Sequence, residues 1–142
     1  MSIQIKPLTP HIGAEVSGVD LSEDLTNEQF ATIREAYLDR MVLVLRDQHL
    51  TRDQHKAFGR RFGKLHVHPM NYARTGDPEI LEVKTTARSA YTAGDGWHTD
   101  VTCDEFPPMS SMLYVTETPE VGGGDTLYAD MYLAYELLSD PL

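Results

Sequence analysis

Short stretches of alternating apolar and polar residues recur along this chain, which is the pattern of half-buried β-strands. Eight segments carry this pattern or a short continuous apolar run: 3–8, 12–19, 41–45, 65–69, 79–84, 97–102, 109–115 and 125–129. The run 41–45 is rich in β-branched residues and predicts a strand buried on both faces. Glycine and proline clusters separate most of these segments, as expected for turns between strands.

Three segments instead have helical spacing of apolar residues. Thr26 lies three residues before Gln29, and Thr51 stands in the same relation to Gln54, so each pair predicts a capping box at a helix start. A glycine follows the second apolar stripe and is placed to end that helix. A third, shorter helix is predicted over 131–138.

Strands therefore outnumber helices, and the predicted fold class is mainly β with flanking helices, in a largely antiparallel arrangement. The 142 residues fit one domain, 1–142. A barrel or jelly roll needs both of its sheets to satisfy its edge strands, and the predicted strands do not close one. We therefore expect the chain to be the N-terminal part of a longer jelly-roll protein.

Composition excludes several classes of function. A formal net charge of −10 argues against nucleic acid and against an anionic membrane surface as partners. No apolar run approaches the roughly 20 residues of a membrane span, and the first residues lack the features of a signal peptide. The single cysteine, Cys103, rules out an internal disulfide framework and suits the reducing cytoplasm, where we expect the protein to work.

The candidate chemistry lies in the segment 94–102, where His98 and Asp100 are two residues apart after a glycine-rich approach. On an extended chain, residues at i and i+2 project from the same face. An imidazole and a carboxylate placed together supply two corners of the 2-His-1-carboxylate triad that binds Fe(II) with open positions. A surface histidine beside a turn aspartate is an equally good interpretation of the two residues alone. The polar loop 85–96 is placed to cover such a site as a water gate.

Two further histidines, His66 and His68, have strand spacing. They are either metal ligands or a solvent-facing alternation, and the second is the more common case. A structural zinc site made of His66, His68, His98 and Asp100 is therefore a competing hypothesis to the iron site.

Taken together, five stretches resemble the taurine/α-ketoglutarate dioxygenase family and follow that family's order. They are 12–21, 42–48, 62–69, 97–102 and 122–128. The sequence Trp-His-Thr-Asp-Val-Thr followed later by Gly-Gly-Asp-Thr is a specific combination. The resemblance implies a double-stranded β-helix (jelly-roll) fold that is incomplete in this chain. It also implies an Fe(II)- and 2-oxoglutarate-dependent dioxygenase that uses O2 to hydroxylate a small anionic substrate and converts 2-oxoglutarate to succinate.

The same resemblance assigns roles to individual residues. His98 and Asp100 would be the first two iron ligands, and Thr126 would hydrogen-bond a carboxylate of 2-oxoglutarate. His68 would donate to the anionic end of the substrate, and Val101 would contact the substrate. The third iron ligand, a distal histidine, and the anion-binding arginines would lie downstream, so the 142-residue chain alone is expected to be inactive.

Two differences from taurine-specific members weaken the case for taurine as the substrate. Asn71 stands where those members carry a substrate-contacting tyrosine, with Tyr72 one position later, and Gly94 stands where they carry an asparagine. The substrate class thus stays open among sulfonates, sulfate esters and carboxylates, and a homo-oligomer is compatible with the sequence. The alternative function is a non-catalytic jelly-roll domain that binds a small anion or a partner protein.

Overall fold

The computed structural model of this chain describes residues 2–68, 76–86, 88–90 and 94–140. They form two compact units, one built from the chain before residue 52 and after residue 114, and the other from 52–114. The predicted substrate contacts Asn71 and Tyr72, and parts of the predicted loop 85–96, lie outside the described residues.

The first unit contains a three-stranded sheet in the order β1 (Gln4–Pro7), β2 (Ala14–Ser17) and β3 (Leu43–Leu45). β1 pairs antiparallel with β2, with Ile5 opposite Val16, whereas β2 pairs parallel with β3. Proline ends β1, as the sequence predicts. β3 is half-buried and not covered on both faces as predicted, and within the described residues it lies at the edge of the sheet.

Helix α1 (Asn27–Arg40) connects β2 to β3 and begins with the predicted capping box. The backbone N–H of Gln29 donates to the Thr26 hydroxyl at 3.2 Å, and the Gln29 side chain accepts from the Thr26 N–H at 2.9 Å. Ile33 on this helix is fully buried, and β2 contributes Ala14 and Val16 to the same core. Each Leu- or Ile-sized side chain in such a core stabilises the fold by roughly 1.5–3 kcal/mol.

Gln48 joins two stretches of the chain beside this core, 12–21 and 42–48. Its Oε1 accepts from the Leu21 N–H at 2.8 Å, and its Nε2 donates to the carbonyls of Val19 at 3.3 Å and Arg46 at 3.0 Å. One amide side chain thereby satisfies one donor and two acceptors of the backbone beside the sheet.

The second unit is built around α2 (Arg52–Phe62), which ends before Gly63 as predicted. Three basic side chains at successive turns of α2 each pair with an acidic residue of the segment 77–82. The pairs are Arg52 with Glu82, Lys56 with Asp77 at 2.5 Å, and Arg60 with Glu79 at 2.6 Å. The hydrogen bond with Lys56 lowers the pKa of Asp77 below its usual value and raises that of Lys56. Arg60 thus has an ion-pair partner, Glu79, in addition to its favourable interaction with the dipole of α2.

The prediction that strands outnumber helices is wrong for the part of the chain that the structure describes. Three helices of 14, 11 and 6 residues stand beside three strands of 4, 4 and 3 residues, and the third helix, α3, spans Met131–Glu136. The sequence also predicts strands over five other ranges, but the described residues of these ranges form no strand. They are 65–69, 79–84, 97–102, 109–115 and 125–129. An extended stretch becomes a strand only when a neighbour pairs with its backbone. The segment 79–84 is held instead by ion pairs to α2.

None of the helices described here is long and apolar enough to span a membrane.

Candidate functional site

His98 and Asp100 lie side by side in the second unit, with His98 Nε2 3.3 Å from Asp100 Oδ1. Their side chains are 55% and 52% exposed, so the pair faces solvent. The two side chains therefore lie close together as predicted. The predicted cause, a β-strand over these residues, is wrong.

A turn follows the two side chains directly. Val101 has φ = 51°, which is rare for a β-branched residue, and the N–H of Asp104 donates to the Val101 carbonyl at 3.1 Å. The hydroxyls of Thr99 and Thr102 lie 2.8 Å apart across the same turn. The backbone thus reverses directly after Asp100, and strained backbone of this kind is found preferentially at functional sites.

The ring of His98 is oriented by its own backbone. Nδ1 lies 2.7 Å from the Gly96 carbonyl oxygen, which can only accept, so the proton resides on Nδ1. In the neutral ring this leaves the lone pair on Nε2 facing the Asp100 carboxylate, a contact that becomes favourable when a cation lies between the two groups. This arrangement is the usual one for a metal-binding histidine, whose other nitrogen donates to a carbonyl or carboxylate.

Asp100 is oriented by a residue that the sequence did not single out. The Ser111 hydroxyl donates to Asp100 Oδ2 at 2.5 Å, while Oδ1 faces the imidazole. No local signal reveals this contact, because eleven residues separate the two side chains and Ser111 falls in a segment predicted as an ordinary strand.

Gly94 borders the pair. A Cβ at this position would lie 3.6 Å from Cε1 of His98, an ordinary van der Waals contact, and the backbone φ is +83°. Gly94, one of the two expected differences from taurine-specific members, therefore lies directly beside His98.

The four-residue zinc hypothesis is wrong for the described residues, among which no group of three or more His, Cys, Asp or Glu side chains could hold a metal ion. His66 pairs instead with Asp104, with His66 Nε2 2.7 Å from Asp104 Oδ2. His68 is partly buried on the same irregular segment as His66. The paired acid Asp104 was also missed at the sequence level.

Thr126 belongs to the first unit. It is exposed, in an irregular segment that follows Gly122–Gly124, three consecutive glycines with positive φ. The predicted turn before it is present, since the Gly122 N–H donates to the Pro119 carbonyl at 3.2 Å. α3 begins shortly afterwards, capped by the carboxylate of Asp130.

Comparison with known proteins agrees with the sequence resemblance. The model of the taurine catabolism dioxygenase TauD, TfdA family matches residues 4–142. An alpha-ketoglutarate-dependent sulfonate dioxygenase of Saccharomyces cerevisiae is 33% identical over 99% of this chain and 36% of its own length. An alkylsulfatase of Acinetobacter baylyi is 36% identical over 99% of this chain and 43% of its own length. The chain thus spans less than half the length of each of these two relatives.

Among solved structures, the chain is similar to one described as a putative alpha-ketoglutarate-dependent taurine dioxygenase from Burkholderia xenovorans. The two are 46% identical, with a TM-score of 0.50, over 54% of this chain and 28% of the other. Both the sequence relatives and this structure therefore point to one family.

Proposed function

The chain belongs to the taurine catabolism dioxygenase TauD, TfdA family, and from this we propose that the protein is an Fe(II)- and 2-oxoglutarate-dependent dioxygenase acting on a small anionic substrate. The observation that carries the proposal is the pairing of a correctly oriented imidazole with a carboxylate, His98 Nε2 and Asp100 Oδ1, at 3.3 Å. In this proposal both side chains are catalytic residues, because they bind the metal.

The two groups fit a metal of this class. Two ligands that each lie about 2.1 Å from one ion, at a right angle, are about 3.0 Å apart, close to the distance found here. One neutral nitrogen and one carboxylate oxygen are the donor types of the facial triad. When bound, Fe(II) with 2-oxoglutarate and O2 supplies the oxidation, in which 2-oxoglutarate becomes succinate and CO2 and one oxygen atom enters the substrate.

The remaining parts of the site are proposed from the family. A third iron ligand, a distal histidine, would come from sequence beyond these residues, since the chain covers 36% and 43% of the two relatives described above. The complete protein would have the jelly-roll fold. Two protein ligands alone would bind Fe(II) weakly, which is why the present chain alone is proposed to be inactive.

This chain's own residues would position the two organic molecules. The hydroxyl of Thr126 would donate to a carboxylate of 2-oxoglutarate, and His68 would donate to the substrate anion. Val101, held next to Asp100 by the turn, would contact the substrate. Asn71 and Tyr72 would complete the substrate contacts from the segment that follows His68.

The proposed substrates are sulfonates other than taurine, sulfate esters or carboxylates. The names of the yeast relative and the Acinetobacter relative support an organic sulfonate or alkyl sulfate. Gly94, which carries no side chain beside His98, supports a substrate different from taurine. Because Cys103 is the single cysteine and is exposed and free, we also propose that the enzyme works in the reducing cytoplasm.

The test is succinate formation from 2-oxoglutarate by the full-length protein, with Fe(II) and a panel of sulfonates, sulfate esters and carboxylates. We expect at least one panel member to stimulate succinate formation, and we expect His98→Ala to lower the stimulated rate by about 100-fold or more, since metal catalysis contributes several kcal/mol. His11→Ala, which removes an exposed histidine of the other unit, is the matched control and should leave the rate unchanged. Activity that survives His98→Ala undiminished would overturn the proposal.

A further inference from the structure

We infer that Ser111 is the positioning residue of the metal site: its hydroxyl holds one oxygen of Asp100 so that the other is presented to the metal. The inference rests on the proposed function, because it concerns the same carboxylate. It is carried by the contact between Ser111 Oγ and Asp100 Oδ2 at 2.5 Å.

The direction of this hydrogen bond follows from chemistry. An ionised carboxylate can only accept, so the Ser111 hydroxyl must be the donor. Hydrogen bonds from a hydroxyl to a carboxylate are short, typically about 2.5–2.7 Å, and stronger than bonds between neutral groups. The contact therefore restricts rotation of the Asp100 carboxylate about its terminal bond.

The two oxygens of Asp100 consequently have different tasks. Oδ2 is engaged by Ser111, and Oδ1 lies beside Nε2 of His98. A carboxylate held in this way offers one oxygen on the side where the imidazole lone pair points. The hydroxyl already occupies one of the two lone-pair positions of Oδ2, so it would favour metal binding through Oδ1, which would leave more positions on the metal for other molecules.

Ser111 and Gly96 thus form a matched pair of supports. The Gly96 carbonyl fixes the ring of His98 at 2.7 Å, and the Ser111 hydroxyl fixes the carboxylate. The Gly96 support is backbone and persists through side-chain substitution. Ser111 is the support that a single substitution removes, and loss of such an outer partner typically weakens metal binding 10–100-fold. Because Ser111 and Asp100 are exposed and water competes for the contact, we expect a loss of about tenfold, at the lower end of that range.

The experiment measures the Kd for Mn(II), by electron paramagnetic resonance, in metal-free full-length protein. The variants are Ser111→Ala, which removes the hydroxyl, and Ser111→Thr, which keeps it. Ser110→Ala is the matched control, because it removes the neighbouring hydroxyl. Circular dichroism and the unfolding temperature of each variant verify that it is folded.

We expect Ser111→Ala to raise the Kd about tenfold, and Ser111→Thr and Ser110→Ala to stay within about twofold of the wild type. The Fe(II) concentration that half-saturates succinate formation should rise in parallel in Ser111→Ala, and excess Fe(II) should restore the rate. A purely structural defect would not be rescued by metal in this way.

The outcomes separate this inference from the proposed function. If the wild type does not bind Mn(II), or if His98→Ala binds it equally well, the metal site itself is overturned. If His98→Ala abolishes binding while folded Ser111→Ala keeps the wild-type Kd, only the role of Ser111 is overturned. Equal weakening by Ser110→Ala and Ser111→Ala would also overturn that role.

Discussion

His66 and Asp104 form a partly buried pair that joins two parts of the proposed site, with 2.7 Å between His66 Nε2 and Asp104 Oδ2. His66 lies two residues before the proposed substrate ligand His68, and Asp104 lies four residues after the proposed metal ligand Asp100. The contact therefore ties the segment that would bind the substrate anion to the segment that would bind iron.

Breaking this pair should weaken substrate binding more than it slows the chemical step. Each of His66→Gln and Asp104→Asn is expected to raise the KM for the anionic substrate several-fold, because His68 loses its tether, with a smaller change in kcat. A double-mutant cycle on stability should give a coupling energy of about 0.5–1 kcal/mol, as for a partly exposed pair. Additive effects of the two substitutions on the free energy of unfolding would show that the contact between His66 and Asp104 does not contribute to stability.

Gly94 should determine which substrate fits beside His98. At φ = +83° asparagine is tolerated better than most residues with a Cβ, and that Cβ would meet Cε1 of His98 at an ordinary 3.6 Å. We expect Gly94→Asn to fold and to raise kcat/KM for taurine relative to the preferred substrate. Gly94→Ala is the control for the added bulk and should not favour taurine. An unchanged ratio in Gly94→Asn would remove this position from substrate selection.

Gln48 should stabilise the first unit through its bonds to backbone groups of Leu21 and Val19. Gln48→Leu leaves these groups without their partner, and we expect the free energy of unfolding to fall by about 1–3 kcal/mol in urea denaturation. Gln48→Glu keeps the acceptor for Leu21 but turns a negatively charged oxygen towards the carbonyls of Val19 and Arg46, so its loss should be at least as large. Equal stability of wild type and Gln48→Leu would show that water replaces the side chain fully.

His55 should make the protein less stable in mild acid. Burial beside the Tyr114 ring lowers the pKa of His55 below its usual 6.5, and a hydrogen bond with the backbone of Met112 opposes this only partly. The unfolded chain therefore binds a proton at higher pH than the folded one, and stability should fall as the pH drops below about 6.5. Unfolding temperatures measured between pH 7.5 and 5 should decline less in His55→Gln than in the wild type. The exposed His49, replaced in the same way, serves as the control. Identical profiles for wild type and His55→Gln would contradict this.

The features that sequence analysis predicted correctly depend on residues close together in the chain. The α1 capping box needs only Thr26 and Gln29, and the neighbourhood of His98 and Asp100 needs only two residues of spacing. The wrong predictions concern distant partners. A strand such as 79–84 requires a neighbouring strand, and here ion pairs to α2 hold that segment.

The same distinction explains which site residues were missed. Ser111 and Asp104 contact their partners across 11 and 38 residues, and serine and aspartate are too common for such contacts to be read from the sequence. The turn at Val101 was also unforeseen, because a β-branched residue favours a strand and not a positive φ. Thr126 was assigned through the family alone, and its role stays a prediction.

The most direct test of the central claim is a crystal structure of the full-length protein with Mn(II), in which anomalous scattering locates the metal. The account predicts one anomalous peak about 2.2 Å from Nε2 of His98 and from a single carboxylate oxygen of Asp100, with the other oxygen still bonded to Ser111. A metal bound at other residues, or no peak near His98 and Asp100 at saturating Mn(II), would contradict it.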